Sequence, residues 1–240
     1  MYANCIFDLY GTLVDIHTDE EAPAVWEKLA LFYGYYGAAY APQELRAAYE
    51  QLSNEGSSGP QYSHEAHPEI RIETVFAELF ERKGVHADDA LAIHAGQLFR
   101  VCTTDYLRLY PGTTELLSAL REQGRGVYLL SNAQRIFTAG ELNILGIAKY
   151  FDGILISSDC AVKKPDPRFF RLLLDQYRLD PASCVMIGND CHSDIAGAQS
   201  VGLDTIYIHS NISPDYDPAI RATHTLMEMD MQKLHALLGA

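Results

Sequence analysis

Short apolar runs recur along most of the chain and alternate with segments in which apolar residues are spaced as on a helix. The runs have apolar residues at consecutive positions and are bounded by polar or turn residues, which is typical of strands buried on both faces of a parallel sheet. They are Asn4–Phe7, Gly126–Leu130, Gly153–Ile156, Cys184–Ile187 and Thr205–Ile208. Helical spacing lies between them near residues 113–123, 134–145, 167–178 and 194–201. This alternation predicts an α/β fold with a parallel sheet between two layers of helices.

Residues 17–104 break the alternation. They show helical patterns near residues 20–33, 42–53, 68–83 and 87–104 and no convincing strand, and the polar stretch 53–68 is expected to be a loop because it contains Gly and Pro. We therefore predict a helical cap domain at 17–104, inserted into a core domain formed by 1–16 and 105–240. The tail from about residue 209 is expected to pack on the core through a last helix near 229–238.

Composition narrows the classes of partner. Of the 240 residues, 18 are basic and 32 acidic, giving a net charge of −14, which disfavours binding to nucleic-acid polymers but not to a small anion held by a local cluster. No run of 18 apolar residues is present, so we expect no membrane span. The five cysteines are scattered, which fits reduced thiols in the cytoplasm. Oligomeric state cannot be read from these features.

Polar residues follow the predicted strands at the points where each strand ends. Ligands bind at the carboxyl ends of strands in open α/β sheets, so these residues are the candidate site. Each has an ordinary alternative: a turn aspartate, a cap of the following helix, or a solvated loop lysine. Their combination in this order makes the ordinary alternatives a poor explanation. The residues are Asp8, Thr12, Ser131, Asn132, Lys164, Asp190 and Asp194.

Four segments also resemble the signature motifs of the haloacid dehalogenase-like superfamily. They are FDLYGTLVD at 7–15, LLSN at 129–132, KKPDP at 163–167 and GNDCHSDIAGA at 188–198. LYPGTTELLSAL at 109–120 is similar to the segment that re-enters the core after the cap. The resemblance implies a Rossmann-like core with a helical cap between the first two motifs.

The resemblance also implies residue roles. Asp8 would be the nucleophile, and Lys164 and Mg²⁺ would compensate the negative charge of a phosphoryl group. Asp8, the backbone carbonyl of Tyr10 and Asp190 would bind Mg²⁺, with Asp194 in or next to the metal's ligand shell. Oxygens of the transferred group would be bound by Ser131 and the amide of Asn132, and Thr12 would orient the nucleophile loop. The substrate would be a small phosphorylated metabolite.

Tyr10 departs from the phosphatase pattern, in which a second Asp stands two residues after the nucleophile and acts as general acid. A positioned general acid contributes roughly 10²–10⁴ in rate, so the departure matters. Three alternatives follow. The protein is a phosphatase that uses good leaving groups or another acid; it is similar to 2-haloacid dehalogenases, where Tyr is familiar at this position; or it is a weak enzyme that binds a ligand.

The fourth motif favours the first alternative, because metal-free dehalogenases resemble one another in keeping one Asp there, whereas this chain has Asp190 and Asp194. The more usual metal position, directly after Gly188, is occupied by Asn189. Dehalogenases also resemble one another in a halide-binding Arg on the cap, and nothing marks Arg46 or Arg71 as that residue. His64, His67 and His192 are weaker candidates for contact with the substrate.

Overall fold

The computed structural model describes residues 2–56 and 69–239, in which α-helices and strands largely alternate outside residues 23–103, as the pattern predicts. None of the helices in these two ranges is long and apolar enough to cross a membrane. The elements are β1 (Asn4–Phe7), β2 (Val14–Thr18), α1 (Pro23–Tyr35), α2 (Pro42–Gly56), α3 (Ile72–Glu81), α4 (Asp89–Thr103), β3 (Thr104–Leu109), α5 (Thr113–Glu122), β4 (Gly126–Ser131), α6 (Arg135–Ile144), β5 (Gly153–Ile156), α7 (Ser157–Cys160), α8 (Pro167–Tyr177), β6 (Cys184–Gly188), α9 (Gly197–Gln199), β7 (Asp204–Ile208), β8 (His224–Leu226) and α10 (Met231–Leu238).

Six parallel strands form the main sheet in the order β5-β4-β1-β6-β7-β8, which confirms the predicted fold class. Alternate residues of β1 enter different clusters: Cys5 and Phe7 pack on one side with α5 and α10, and Ile6 packs on the other with α8. This two-sided burial explains why the strands are apolar at every position. The edge strand β8 was not predicted, because its three residues are exposed or half-buried and carry no apolar run.

A second, two-stranded sheet corrects the expectation that residues 17–104 contain no strand. β2 and β3 pair antiparallel, with Val14 opposite Leu109 and Thr18 opposite Thr104. The pair straddles both predicted domain boundaries, 16/17 and 104/105. These strands are mixed in polarity, and each becomes regular only by pairing with a segment far away in the sequence. The predicted loop 53–68 also needs correction, since α2 continues to Gly56; residues 57–68 lie outside the described ranges.

Helices α1–α4, here called the helical insert, share one apolar cluster. Trp26, Tyr33 and Phe76 are almost fully buried in it, as expected if the aromatic residues of this region form a core. Tyr35, by contrast, is 80% exposed. Ile136 of α6 joins the same cluster, so the insert packs on the first turn of the helix that follows β4.

The register of the sheet brings three strand ends together. Phe7 lies opposite Leu129 on one side and Ile187 on the other, and the amide of Asp8 donates to the carbonyl of Ile187 (2.9 Å). The residues that follow β1, β4 and β6 therefore meet at one edge, where the sequence places the candidate site.

Candidate active site

Asp8 and Lys164 form the centre of the site. The ammonium Nζ of Lys164 donates to Asp8 Oδ1 over 2.7 Å, and the hydroxyl of Thr12 lies 3.4 Å from Asp8 Oδ2. Asp8 is 7% exposed and Lys164 is 3% exposed. Lys164 is therefore not a solvated loop lysine, and Asp8 is not a surface turn residue. The geometry gives a carboxylate with one oxygen held by a buried cation and the other only loosely engaged.

Asp194 is the second partner of Lys164. Its Oδ1 accepts from Nζ of Lys164 (2.7 Å), and its Oδ2 accepts from the backbone amide of Asp190 (3.0 Å). Burial, opposed by Lys164 and reinforced by Asp8, raises the pKa of the Asp194 carboxyl to about 7. Burial alone would lower the pKa of Lys164, but Asp194 and Asp8 outweigh it and raise that pKa. Both oxygens of Asp194 are thus used within the protein, which fixes the carboxylate.

Asn132 links the loop after β4 to the loop that carries Lys164. Its side-chain Nδ2 donates to the carbonyl of Lys164 (2.9 Å), and its Oδ1 accepts from the amide of Lys164 (2.8 Å). Neither Ser131 nor Asn132 caps α6, whose preceding residue is Gln134. The Ser131 hydroxyl is fully buried without a hydrogen-bond partner among the described residues, so its hydrogen bond is available to a ligand.

Asp190 and Asn189 take different positions after β6. Asp190 Oδ1 accepts from the amides of His192 (2.8 Å) and Ser193 (3.1 Å) and so caps the π-helical turn Cys191–Ala196. The capping alternative therefore holds for Oδ1 of Asp190, whereas its Oδ2 accepts no hydrogen bond from the residues that the structure describes. The buried Asn189 side chain lies against Gly11: a Cβ at Gly11 would be 2.1 Å from Asn189 Nδ2.

The contacts of the Tyr10 hydroxyl argue against its acting as a proton donor to a substrate. Its hydroxyl donates to Glu141 Oε2 in a short hydrogen bond and lies 3.0 Å from Thr138 Oγ1. Burial and the charge of Glu141 raise the pKa of the phenol, although Arg100 partly opposes them. A phenol so held is a poor general acid near neutral pH.

The oxygen donors fit a magnesium ion. Asp190 Oδ2 accepts no hydrogen bond from the described residues, and the carboxylates of Asp8 and Asp194 share the single ammonium of Lys164, so a further cation is favoured. Within residues 2–56 and 69–239, no three side chains of His, Cys, Asp or Glu are grouped to hold a metal by themselves. A bound Mg²⁺ would therefore need the Tyr10 carbonyl, water or substrate to complete its ligands.

The other candidate side chains that the structure describes lie next to carboxylates of their own. Arg46 pairs with Glu21 and Glu50, Arg71 with Glu73, Arg82 with Glu78 and Arg100 with Glu141, so each arginine of the helical insert is ion-paired. His192 is largely exposed and lies 3.5 Å from Asp217. His64 and His67 lie outside the described residues.

Two contacts of the site were not foreseen from the sequence. Thr138 and Glu141 are spaced three apart on α6, a helical spacing that indicates one face, but their partner Tyr10 is set only by the fold. Ser213, in the tail that was expected only to pack on the core, accepts a hydrogen bond from Asn189 Nδ2 through its hydroxyl (3.3 Å). The loop after β7 therefore supports the site.

The family model for haloacid dehalogenase-like hydrolases matches residues 2–202. A phosphoserine phosphatase from Thermus thermophilus is 30% identical over 146 residues, which cover 61% of this chain and 57% of that protein. (S)-2-haloacid dehalogenase 4A from Burkholderia cepacia is 24% identical over 237 residues, which cover 94% of this chain and 92% of that protein. The chain spans about half the length of several curated phosphatases that it matches.

The crystal structure of a 2-haloacid dehalogenase from Pseudomonas syringae pv. Tomato DC3000 superposes with a TM-score of 0.66, covering the whole of both chains at 22% identity. At this identity the superposition shows the fold alone. Phosphatases and dehalogenases are both among the similar proteins, so the reaction has to be argued from the site.

Proposed function

Because the chain belongs to the haloacid dehalogenase-like hydrolase family, we propose that it is a Mg²⁺-dependent phosphatase that acts on a small phosphorylated metabolite through Asp8. The observation that carries this proposal is the position of the Lys164 ammonium, 2.7 Å from Asp8 and 2.7 Å from Asp194. It places a buried positive charge beside a carboxylate whose other oxygen is available for attack on an electrophile.

In the proposed reaction, Asp8 Oδ2 attacks the phosphorus, and the bond between phosphorus and the leaving oxygen breaks. An aspartyl phosphate forms, and water then hydrolyses it to inorganic phosphate and free Asp8. Lys164 stays charged and stabilises the negative charge on the phosphoryl oxygens. The Ser131 hydroxyl, which is buried without a hydrogen-bond partner among the described residues, donates to one of them, and the backbone amide of Asn132 is proposed to bind another.

The residues proposed to hold Mg²⁺ are Asp8, Tyr10 through its carbonyl, and Asp190, with Asp194 positioned nearby. When bound, Mg²⁺ supplies two positive charges that offset the approach of an anionic substrate to an anionic nucleophile. Asp194, held by Lys164 and by the amide of Asp190, then serves to fix the orientation of both neighbours.

The leaving group follows from Tyr10. Since its hydroxyl is bound to Glu141 and Thr138, no proton donor stands at the usual position. The substrate is therefore proposed to have a leaving group that departs with little protonation, such as an acyl, enol or aryl oxygen.

A 2-haloacid dehalogenase is the second candidate. The lack of a general acid at Tyr10 favours it, since a halide leaves without a proton. Against it stands the pairing of all four arginines of the helical insert with carboxylates, so that none of them presents an unpaired guanidinium to a halide.

Turnover of para-nitrophenyl phosphate, measured with Mg²⁺ and with a chelator beside halide release from 2-chloropropionate, separates the two candidates. We expect Mg²⁺-dependent phosphate release that falls by at least about 10³-fold in Asp8→Asn. Halide release that persists in chelator would instead establish the dehalogenase. Absence of both reactions would refute turnover of activated phosphates.

A further inference from the structure

A buried polar network joins the nucleophile loop to the helical insert. Tyr10, on the loop after β1, donates its hydroxyl to Glu141 of α6, and Glu141 Oε1 accepts from Arg100 Nε of α4 over 2.6 Å. The Arg100 guanidinium also lies 5.6 Å from the centre of the Tyr10 ring. Three segments from different parts of the fold thus meet through one carboxylate.

The network is not a surface ion pair. The Glu141 side chain is 9% exposed and that of Arg100 is 19% exposed, and Thr138, which also contacts the Tyr10 hydroxyl, is fully buried. Breaking a buried pair on one side leaves an uncompensated charge, so the three groups hold one another in place far more firmly than exposed groups would.

We propose that Glu141 is a positioning residue, which transmits the position of helix α4 to the Asp8 loop through the Tyr10 hydroxyl. Tyr10 stands two residues after Asp8, and the loop between them is short and hydrogen-bonded to itself through the amides of Gly11 and Leu13. A displacement of the Tyr10 phenol therefore moves the backbone that carries Asp8. Arg100, when bound to Glu141, keeps the Tyr10 phenol in place. A movement of α4 that withdraws Arg100 would release the phenol.

This role differs from proton transfer by Tyr10. Loss of a general acid slows the reaction of substrates with poor leaving groups most, whereas loss of a positioning contact slows the reaction of all substrates alike. The kinetic test, which rests on the proposed phosphatase activity, compares aryl phosphates with good and poor leaving groups in Tyr10→Phe, Glu141→Gln and Arg100→Met. Arg82→Met, an arginine of the helical insert paired with Glu78, is the control.

We expect each of the three variants to lower kcat about tenfold with little change in KM, by the loss of a charge-assisted hydrogen bond. The ratio of rates for good and poor leaving groups should stay as in the unaltered protein, and Glu141→Gln combined with Arg100→Met should be no worse than either alone. A steeper dependence on the leaving group in Tyr10→Phe alone would overturn the proposal in favour of acid catalysis.

A second measurement needs no turnover, and it separates failure of this inference from failure of the phosphatase proposal. Amide hydrogen exchange of the peptide covering residues 9–14 should be about tenfold faster in Glu141→Gln and Arg100→Met, because the contacts that hold the loop are lost. Arg82→Met should leave it unchanged. Exchange in this peptide that is the same in all four proteins would refute the coupling, whatever the substrate proves to be.

Discussion

Lys164 and Asp194 form an ion pair in which each side chain has only 1% of its surface exposed, with 2.7 Å between Nζ and Oδ1. Lys164→Met leaves Asp194 and Asp8 buried without their shared cation, so we expect the free energy of unfolding to fall by about 3–5 kcal/mol. Urea denaturation measures the loss. The double variant with Asp194→Asn should recover part of it, since one buried charge is removed.

Lys233→Met is the control for that experiment, because Lys233 is 60% exposed and its carboxylate partners lie at 3.5 and 3.6 Å. Its stability should change by less than about 1 kcal/mol. If Lys164→Met were as stable as Lys233→Met, the buried ammonium would not be compensating the two carboxylates.

Asp190→Asn separates the two uses of Asp190. Asn is as good an N-cap as Asp, so the π-helical turn should keep its cap and the protein its stability. The charge proposed to bind Mg²⁺ is lost, however, and the Mg²⁺ concentration for half-maximal turnover should rise about 10–100-fold. A Mg²⁺ titration of activity, with thermal unfolding alongside, checks both. An unchanged titration would place the metal elsewhere.

Asp15 should make the stability of the protein depend on pH in the acid range. Burial would raise the pKa of its carboxyl, but hydrogen bonds from Asn211 (2.9 Å) and Arg108 (2.9 Å) outweigh it and lower that pKa. A carboxylate with a lowered pKa in the folded state stabilises it above the ordinary value of 3.8, and this contribution is lost as the pH falls further.

Asp15→Asn should therefore be less stable than the unaltered protein by about 1–3 kcal/mol at neutral pH, with the difference shrinking below about pH 4. Urea denaturation across this range measures the difference. A gap that stays constant from pH 7 to pH 3, within the error of the fits, would assign the effect to packing and not to ionisation.

Gly11→Ala tests the contact between the nucleophile loop and Asn189. Gly11 has φ of +84°, and an added Cβ would lie 2.1 Å from Asn189 Nδ2. We expect a loss of about 10² in kcat, because a displaced loop misaligns Asp8. Gly124→Ala is the matched control: φ is also positive, at +72°, but an added Cβ would have no described atom within 4 Å beyond its chain neighbours, so it carries only the backbone strain of about 1–2 kcal/mol.

Adding Asn189→Ala to Gly11→Ala should restore stability in part, since it removes the atoms that the new methyl meets. Unfolding midpoints of the single and double variants measure this. No recovery would show that the backbone angle, and not the side chain of Asn189, sets the cost.

The sheet and the residues at its carboxyl edge could be predicted because both are determined by local patterns in the sequence. Cys184–Ile187 is apolar at every position, and Asp8 and Ser131 follow or end such runs. The strand Val14–Thr18 could not be predicted, since its polarity is mixed and its partner lies at Thr104–Leu109.

The contacts around the site were harder to foresee for a similar reason. Glu141 is one of many helix carboxylates by sequence, and only the packing of α4 against α6 brings Arg100 and Tyr10 to it. The two hydrogen bonds between the Asn132 side chain and the backbone of Lys164 were likewise not foreseen. Long-range partners of this kind leave no periodic signal.

The pairing of Thr18 with Thr104 has a consequence for how such a chain can vary. The excursion through α1–α4 leaves and rejoins the rest of the molecule at neighbouring positions on one small ladder. Helices α1–α4 therefore occupy the place that the loop has in a β-hairpin, with β2 and β3 as its two strands. Segments that start and end side by side tolerate replacement and changes of length well. Apart from the contact of Arg100 with Glu141, the helical insert is therefore a modular part, which could be exchanged for another without rebuilding the carboxyl edge of the large sheet.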